Sequence, residues 1–589
     1  YRGCIHGYPG TGKSRVILWL RRMFLEALKW EHGVQFVCVA FQNRVAYQMG
    51  GSTLHTAGEV PVGGVHQDRK LAHGDIDLLF TKNQALRWIL IDEVYMIPDD
   101  LLGHFAAHFA DAAVNSIYKM RADGTAQPFG GYNLIMFGDM LQLPPIPNTA
   151  ALFLPPGRPK KSELANSMLH LFWGDDEDSI NYFQELRQQM RVEDDWYDRF
   201  LRQCRYGALE DELYYFLMGL PTEHCGSWLS TMLPDTETSP GAACSQLPAN
   251  PGYASCGNEA CSELPSKWHE LFRAGAAWEA MVALECDACK AERRRRNRLI
   301  KDKDTRVRRQ PFGDAPYVHK NNDPKYHAML LRAVEDAKRG GSEPRHILWV
   351  AAQDTPRNPK ELGKNPDQKR LRWLQFNDQK TSGIPGLFPL FLGMHARVTE
   401  KIARGKDPNG EPIVILKHTP CTVCGWDLSS ADRLNLDGCE RLLQYMPKLI
   451  FLKFVNVKWR LHPDLDVGVF PLRPNTREWT LNASSGVKIA RQGFTLVPDY
   501  ASTAFMIQGA TLSAEIAECG DLFATPGLTE VLTAYVILSR VKRADALLLL
   551  RAFSPLLFTM GAPPGPATLL KLLRARFTPA GFGPDYSLK

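Results

Sequence analysis

The sequence contains no apolar run approaching the roughly 20 residues that a helix needs to span a bilayer, which excludes a helical membrane span within it. Cysteine is sparse and odd in number, 13 in 589 residues, and unevenly spread. With no secretory context, reduced thiols or a metal site fit these cysteines better than a disulfide framework. An excess of charge of one sign is also lacking outside a single stretch. The net charge is +6, yet residues 290–309 alone contribute +8, so the rest of the chain sits near −2. A uniformly basic surface is thereby excluded. The chain opens on Tyr1 rather than methionine, and we expect residues, and any targeting signal, to have been lost ahead of it.

What is present reads as water-soluble and globular, 44% hydrophobic and 23% charged. The length exceeds what one core organises, so three or four domains are expected. The basic stretch centres on Arg293-Arg294-Arg295-Arg296. Two readings stand for it: a phosphate-contacting or nuclear-import segment, and a solvated charge run.

The chemistry starts at the N-terminus, where Cys4-Ile5-His6 leads into Gly7-Tyr8-Pro9-Gly10-Thr11-Gly12-Lys13-Ser14. This is a complete G-x-x-x-x-G-K-S loop. Gly7, Gly10 and Gly12 let the backbone fold around phosphate oxygens, with Thr11 in the same turn. A following helix over residues 14–29 would present its positive dipole end to the same phosphates. Lys13 is expected to reach the β- and γ-phosphates of ATP, and Ser14 to hold Mg²⁺. Val16, Ile17, Leu20, Phe24, Leu25 and Leu28 recur at helical spacing, as that context demands.

Downstream, Trp88-Ile89-Leu90-Ile91 ends in Asp92-Glu93 and reads as a buried parallel strand. Ligands bind at the carboxyl ends of such strands. There Asp92 would orient Mg²⁺ or its water, and Glu93 would act as general base. The alternative is a core strand followed by an acidic turn. A third strand, Asn133-Leu134-Ile135-Met136-Phe137, runs into Gly138-Asp139-Met140-Leu141-Gln142-Leu143-Pro144-Pro145.

With that last motif the chain resembles superfamily 1 helicases. G-D-x-x-Q-L-P-P is similar to their motif III, and the resemblance makes Gln142 the γ-phosphate sensor. Gly50-Gly51-Ser52-Thr53-Leu54-His55-Thr56 resembles the GG-x-T-x-H segment of PIF-type (petite integration frequency) helicases and their RecD-like relatives. It implies single-strand contacts at Thr53 and His55; packing is the other reading for His55. Glu185-Leu186-Arg187-Gln188-Gln189-Met190-Arg191 is similar to motif IV and puts Arg191 near the γ-phosphate. Arg491-Gln492-Gly493-Phe494-Thr495-Leu496 and Tyr500-Ala501-Ser502-Thr503 resemble the approach to motif V, which ends in Gln508-Gly509-Ala510-Thr511-Leu512. Gln508 and Gly509 are thereby expected at the nucleotide, and Thr503 and Phe505 on DNA. Ala534-Tyr535-Val536-Ile537-Leu538-Ser539-Arg540 looks like motif VI, with Arg540 as arginine finger. Two places depart from the family: Phe505-Met506 stands where His-Lys is usual, and Gln42-Asn43 where Thr-Gly is usual. Phe505 retains an aromatic face for base stacking, whereas Met506 offers phosphate no charge.

The resemblance implies an α/β fold with two RecA-like P-loop NTPase lobes. We expect the first lobe over 1–195, a connector with a Cys-rich and Arg-rich insertion over 196–345, and the second lobe over 346–391 and 489–556. Short strand-like runs such as Leu449-Ile450-Phe451-Leu452-Lys453-Phe454 predict a small β-rich, SH3-like insertion over 392–488, and 557–589 form a tail. Arg540 is expected to come from the second lobe. Cys256-x4-Cys261 and Cys286-x2-Cys289 are either a Cys₄ zinc site or free thiols in the insertion, and Cys421-x2-Cys424 is a lone pair. The implied activity is an ATP- and Mg²⁺-dependent, 5′-to-3′ helicase acting on single-stranded DNA and forked duplex. The resemblance puts it in repair, recombination and telomere upkeep or on a mobile element, as a nuclear or mitochondrial protein without membrane partners, and a monomer. The rival readings are an ATP-hydrolysing nucleic-acid switch that does not unwind, and a small-molecule kinase-type P-loop enzyme.

Overall fold

The computed structural model describes residues 1–61, 73–113, 119–157, 162–210, 213–214, 286–287, 290, 312–339, 345–358, 366–433, 440–481, 486–519, 527–550 and 553–577. Three of the four cysteines considered for zinc (Cys256, Cys261, Cys289), and the basic stretch beyond Lys290, lie outside these residues. By its contacts the chain divides into two compact units, one of residues 1–305, 507–513 and 519–589, the other of 306–506 and 514–518.

The first unit is built on a six-stranded parallel sheet. Its strands are β1 (Arg2–Gly7), β2 (Phe36–Ala40), β3 (Ser52–Thr53), β4 (Trp88–Asp92), β5 (Asn133–Gly138) and β6 (Tyr182–Leu186), in the order β3-β2-β4-β5-β1-β6. The apolar runs Val37-Cys38-Val39, Ile89-Leu90-Ile91 and Leu134-Ile135-Met136-Phe137 are buried along their length, as strands covered on both faces must be. Each such Ile, Leu, Val or Phe contributes about 1.5–3 kcal/mol when buried. The register pairs His6 with Gly138, and Ala40 with Asp92, so β1, β4 and β5 end along one edge. Every polar motif read from the sequence in this region begins at that edge.

The helix after the phosphate loop runs from Lys13 to Arg22 and then loosens into a π-helical turn, Met23–Ala27. Its predicted apolar face is real but narrower than its spacing suggested. Ile17 and Phe24 are buried, while Leu28 is exposed beyond the last turn. The helix Asp195–Tyr206 is capped by Asp194, whose carboxylate accepts from the Tyr197 N–H, and buries Tyr197, Leu201 and Arg205 on one stripe. The helix Leu528–Leu538 is buried from Val531 through Leu538 and belongs to this unit, as does Arg540 just after it. Its last carbonyl, on Leu538, accepts from the Tyr197 hydroxyl.

The second unit is mainly antiparallel. Five strands, Val469–Leu472, Leu449–Lys453, Pro420–Asp427, His395–Val398 and Leu496–Pro498, lie side by side in that order. In Leu449–Lys453, Ile450 and Leu452 point into the core while their neighbours are half-buried, the period-2 pattern of a sheet packed on one face. A hairpin, Ala403–Lys406 with Pro412–Ile415, adds to this β-rich region. Beside it, Ala501–Thr503 and Glu515–Ala517 each pair in parallel with Tyr317–His319. Among the described residues no helix is long and apolar enough to cross a membrane.

Candidate nucleotide site

The phosphate loop follows β1 directly. Gly10 and Gly12 hold φ of 87° and 90°, a region that favours glycine. A side chain at Gly10 would also collide with Gln189, whose Oε1 lies 2.1 Å from where a Cβ would stand. Gln189 belongs to the segment likened to motif IV, and it braces the loop. Its Nε2 donates to the Pro9 carbonyl at 3.1 Å, its Oε1 accepts from the Arg191 N–H at 2.8 Å, and the Met190 N–H donates to the Gly10 carbonyl at 2.9 Å.

No side chain caps the helix that starts at Lys13, so its end is left to an anion. Thr11 Oγ1 closes the loop on the Tyr8 carbonyl at 2.9 Å, and Ser14 is exposed at the helix start. Lys13 is buried and folds back on the loop, its Nζ 2.5 Å from the Gly7 carbonyl and 3.3 Å from that of Tyr8. Burial lowers its pKa, opposed by the charges of Asp139, Glu93 and Asp92. Three carboxylates thus surround one lysine.

Asp92 ends β4 and accepts from the Glu93 N–H at 2.9 Å. Burial first, and the Glu93 charge second, push its pKa up to about 7 against the pull of Lys13. Lys13 compensates this carboxylate only in part, and a bound Mg²⁺ would complete the compensation. Glu93 sits at φ 51°, ψ 45°, a left-handed conformation costing about 1–2 kcal/mol for a residue with a Cβ. Its carboxylate accepts from Gln508 Nε2 at 3.2 Å, a bond across 415 positions of sequence. Gly509, at φ 77°, lies next to it.

Asp139, one residue past β5, is the most heavily bonded acid of the site. Arg205 grips it in a fork, 2.7 Å to each oxygen, and Gln142 Nε2 donates to Oδ2 at 2.9 Å. Burial pushes its pKa up, but the Arg205 charge and hydrogen bonds, with His6 and Lys13, hold it well below the usual carboxylate range. A carboxylate only accepts, so Gln142 must turn its NH₂ to Asp139. Its Oε1 is buried without a hydrogen-bond partner. His6 accepts from Arg205 at 3.2 Å, and burial lowers its pKa to about 4. Arg191 donates to the Ser539 carbonyl at 3.2 Å; burial first, then the neighbouring Arg540 charge, lowers its pKa. Arg540 is buried, its Nε 2.8 Å from the Val536 carbonyl and its Nη2 2.6 Å from Ser539 Oγ.

The unit therefore gathers Gly7, Gly10, Thr11, Gly12, Lys13, Ser14, Asp92, Glu93, Gln142, Arg191, Gln508, Gly509 and Arg540. Arg540, expected from the second lobe, lies in the unit of the phosphate loop because its helix packs on Asp195–Tyr206. Of the residues expected on DNA, Thr53 and His55 lie in the first unit and Thr503 and Phe505 in the second. Thr53 caps the short helix Leu54–Ala57, its oxygen accepting from Thr56 N at 3.3 Å. His55 Nδ1 bonds the Val60 carbonyl at 3.1 Å. In the second unit Thr503 is buried at a strand end and Phe505 is half-buried. Met506 Sδ lies 3.6 Å from Arg397 Nη1. Cys286, the one described member of the zinc quartet, is half-buried, and no cluster of metal-ligating residues occurs among the described residues.

Arg205 lies outside every motif read from the sequence, and His6 and Tyr535, though inside quoted segments, carry no role in that reading. A signal for Arg205 was available: Tyr197, Leu201 and Arg205 stand four apart on one helix stripe, and a charge on an apolar stripe needs a buried partner.

A glycine loop braced over a lysine, with buried carboxylates at the ends of neighbouring parallel strands, defines a P-loop NTPase. Residues 4–189 match the family model of the PIF1-like helicases. Over 245 residues, 40% of this chain, the sequence is 29% identical to the ATP-dependent DNA helicase PIF1 of Saccharomyces cerevisiae, covering 23% of that protein. It is 29% identical over 143 residues to the ATP-dependent DNA helicase RRM3 of the same yeast, 24% of this chain and 18% of that protein. The matched stretches thus span less than a quarter of these relatives. The fold is similar to the crystal structure of Pif1 helicase from Candida albicans, with a TM-score of 0.51 at 16% identity over 97% of this chain and 95% of that one. The similarity to PIF1-like helicases thus covers the first third of the chain by sequence, and the fold is similar to that of a Pif1 helicase over nearly its whole length.

Proposed function

We propose that the protein is an ATP- and Mg²⁺-dependent helicase that moves on single-stranded DNA in the 5′-to-3′ direction and opens forked duplex. The observation that carries the proposal is the hydrogen bond from Gln508 to Glu93, which ties the motif V segment to the general base. Lys13 would hold the β- and γ-phosphates, Ser14 and Asp92 the Mg²⁺, and Mg²⁺ would supply charge neutralisation of the phosphate oxygens. Glu93 would draw a proton from the attacking water, with Gln142 Oε1 as a second acceptor to orient it. Arg191 and Arg540 would face the charge that develops on the transferred phosphoryl group, a role worth roughly 10³-fold or more in rate. The names of the relatives support DNA as the partner.

Unwinding of forked substrates carrying a 5′ or a 3′ tail, with ATP and Mg²⁺, tests the reading. Strand separation on the 5′-tailed fork alone is expected. DNA-stimulated hydrolysis without separation would favour the second reading, an ATP-driven switch on nucleic acid. Met506 motivates that reading, since a thioether beside Arg397 gives DNA phosphate no charge of its own. Hydrolysis indifferent to single-stranded DNA would point instead to a small-molecule P-loop enzyme. We assign the helicase to nuclear genome maintenance, with mitochondria or a mobile element as alternative settings, and to action as a monomer. Zinc at Cys256, Cys261, Cys286 and Cys289 remains the alternative to free thiols, decided by metal analysis of the purified chain.

A further inference from the structure

Arg205 takes no part in the motif scheme, yet its surroundings connect most of that scheme. It is 3% exposed. Its fork holds both oxygens of Asp139, and Asp139 in turn fixes the Gln142 amide. Its guanidinium lies 5.5 Å from the ring centre of Tyr8 in the phosphate loop and 5.7 Å from that of Tyr535 in the helix Leu528–Leu538. That helix leads directly into Arg540, which bonds back to its Val536 carbonyl at 2.8 Å. Arg205 Nη2 also bonds His6 on β1. One guanidinium therefore touches the strand before the loop, the loop, the acid that sets Gln142, and the arginine-finger helix.

A merely structural ion pair would need only charge and shape. Here the geometry asks for more. Asp139 has two oxygens, and four N–H donors divide them: Oδ1 takes Arg205 Nη2 and the Leu141 backbone N–H, and Oδ2 takes Arg205 Nη1 and Gln142 Nε2. The planar fork leaves Gln142 one defined place to donate and leaves its Oε1 as the buried acceptor without a partner. Lysine is a point charge without that fork and would not fix the carboxylate's rotation.

We propose that Arg205 is a positioning residue for hydrolysis: acting through Asp139 it sets the sensor Gln142, and acting through Tyr535 it holds the arginine-finger helix in step with it. The inference rests on the ATPase reading given above. It predicts coupling between the sensor and the finger that neither has alone, since loss of Arg205 frees both at once.

The test uses the full chain and two readouts, steady-state ATP hydrolysis and the ratio of affinities for ADP–aluminium fluoride and ADP. Arg205→Met is expected to lower kcat at least 100-fold with KM changed less than threefold, and to lower the affinity ratio by a similar factor. Arg205→Lys, which keeps the charge, should recover less than a tenth of the lost rate. In Gln142→Ala the further change Arg205→Lys should cost at least tenfold less than it does in the wild type, because the part of its effect that runs through Gln142 is already lost. Arg199→Met, on the same helix in an exposed pair with Glu210, should leave kcat unchanged. Full rescue by lysine, or multiplicative losses in the double variant, would overturn the proposal. If Arg205→Met does not fold, Arg205→Lys and its pairing with Gln142→Ala still decide. A wild-type chain that binds no nucleotide would overturn the ATPase reading and this inference with it; one that binds and hydrolyses while Arg205→Lys matches it would overturn the inference alone.

Discussion

Both units bury arginine–aspartate forks, and they use them differently. In the second unit Arg491 is fully buried and paired with Asp354 at 2.8 and 2.6 Å, its remaining donors taken by the carbonyls of Trp373 and Ile384, with the Trp479 ring 5.3 Å away. That pair is closed. In the first unit Arg205 and Asp139 form as good a fork, but the same small volume holds Lys13, His6, Asp92 and Glu93 as well. There, an acid is pushed up to about 7, a buried amide oxygen lacks a partner, and a glutamate occupies a left-handed backbone conformation. A closed pair stabilises a fold, whereas surplus charge and stored strain mark a place that something else completes.

The contrast can be broken at either end. Glu93→Gln keeps size and the bond to Gln508 but removes the base, and hydrolysis should fall by roughly 10²–10⁴ with nucleotide affinity retained; a rate within tenfold of wild type would deny Glu93 its role. Asp354→Ala, by comparison, leaves Arg491 as a buried unpaired charge and should cost about 3–5 kcal/mol of stability in denaturant melts. If it instead lowered kcat in a variant that is still folded, the second pair would not be merely structural. The smallest effect concerns His6. Its pKa falls from 6.5 when unfolded to about 4 when folded, so the unfolded state binds more protons between those values. Stability should therefore rise as pH climbs from about 4 to 6.5, by up to about 3 kcal/mol. His6→Gln should flatten that dependence, and an unchanged acid limb would contradict the burial argument.

Much of this site is legible because the residues proposed to bind nucleotide follow strands with unbroken apolar runs. The apolar runs give β4 and β5 to within one residue; β4 ends on its acid, Asp92, and β5 one residue before Asp139. The helix after the phosphate loop was drawn too long, since apolar spacing persists through Met23–Ala27 while the backbone there has already widened to a π turn. Periodicity reports which side is buried, not which hydrogen bond the backbone makes. That Gln508 meets Glu93, and that Arg191 meets the Ser539 carbonyl beside Arg540, is read only through the family resemblance, because bonds across 415 and 348 positions leave no local trace. Arg205 and His6 were missed for the opposite reason: they look like ordinary helix and strand residues until the partner across the core is known.

Lys13 is the residue on which ATP turnover should depend most directly. ATP hydrolysis with and without single-stranded DNA, measured on wild type beside Lys13→Ala together with DNA binding in the absence of nucleotide, is the decisive measurement. DNA-stimulated turnover in wild type, lost in the variant while most DNA binding remains, is the predicted result. Equal loss of hydrolysis and DNA binding, or turnover that survives without Lys13, would contradict it.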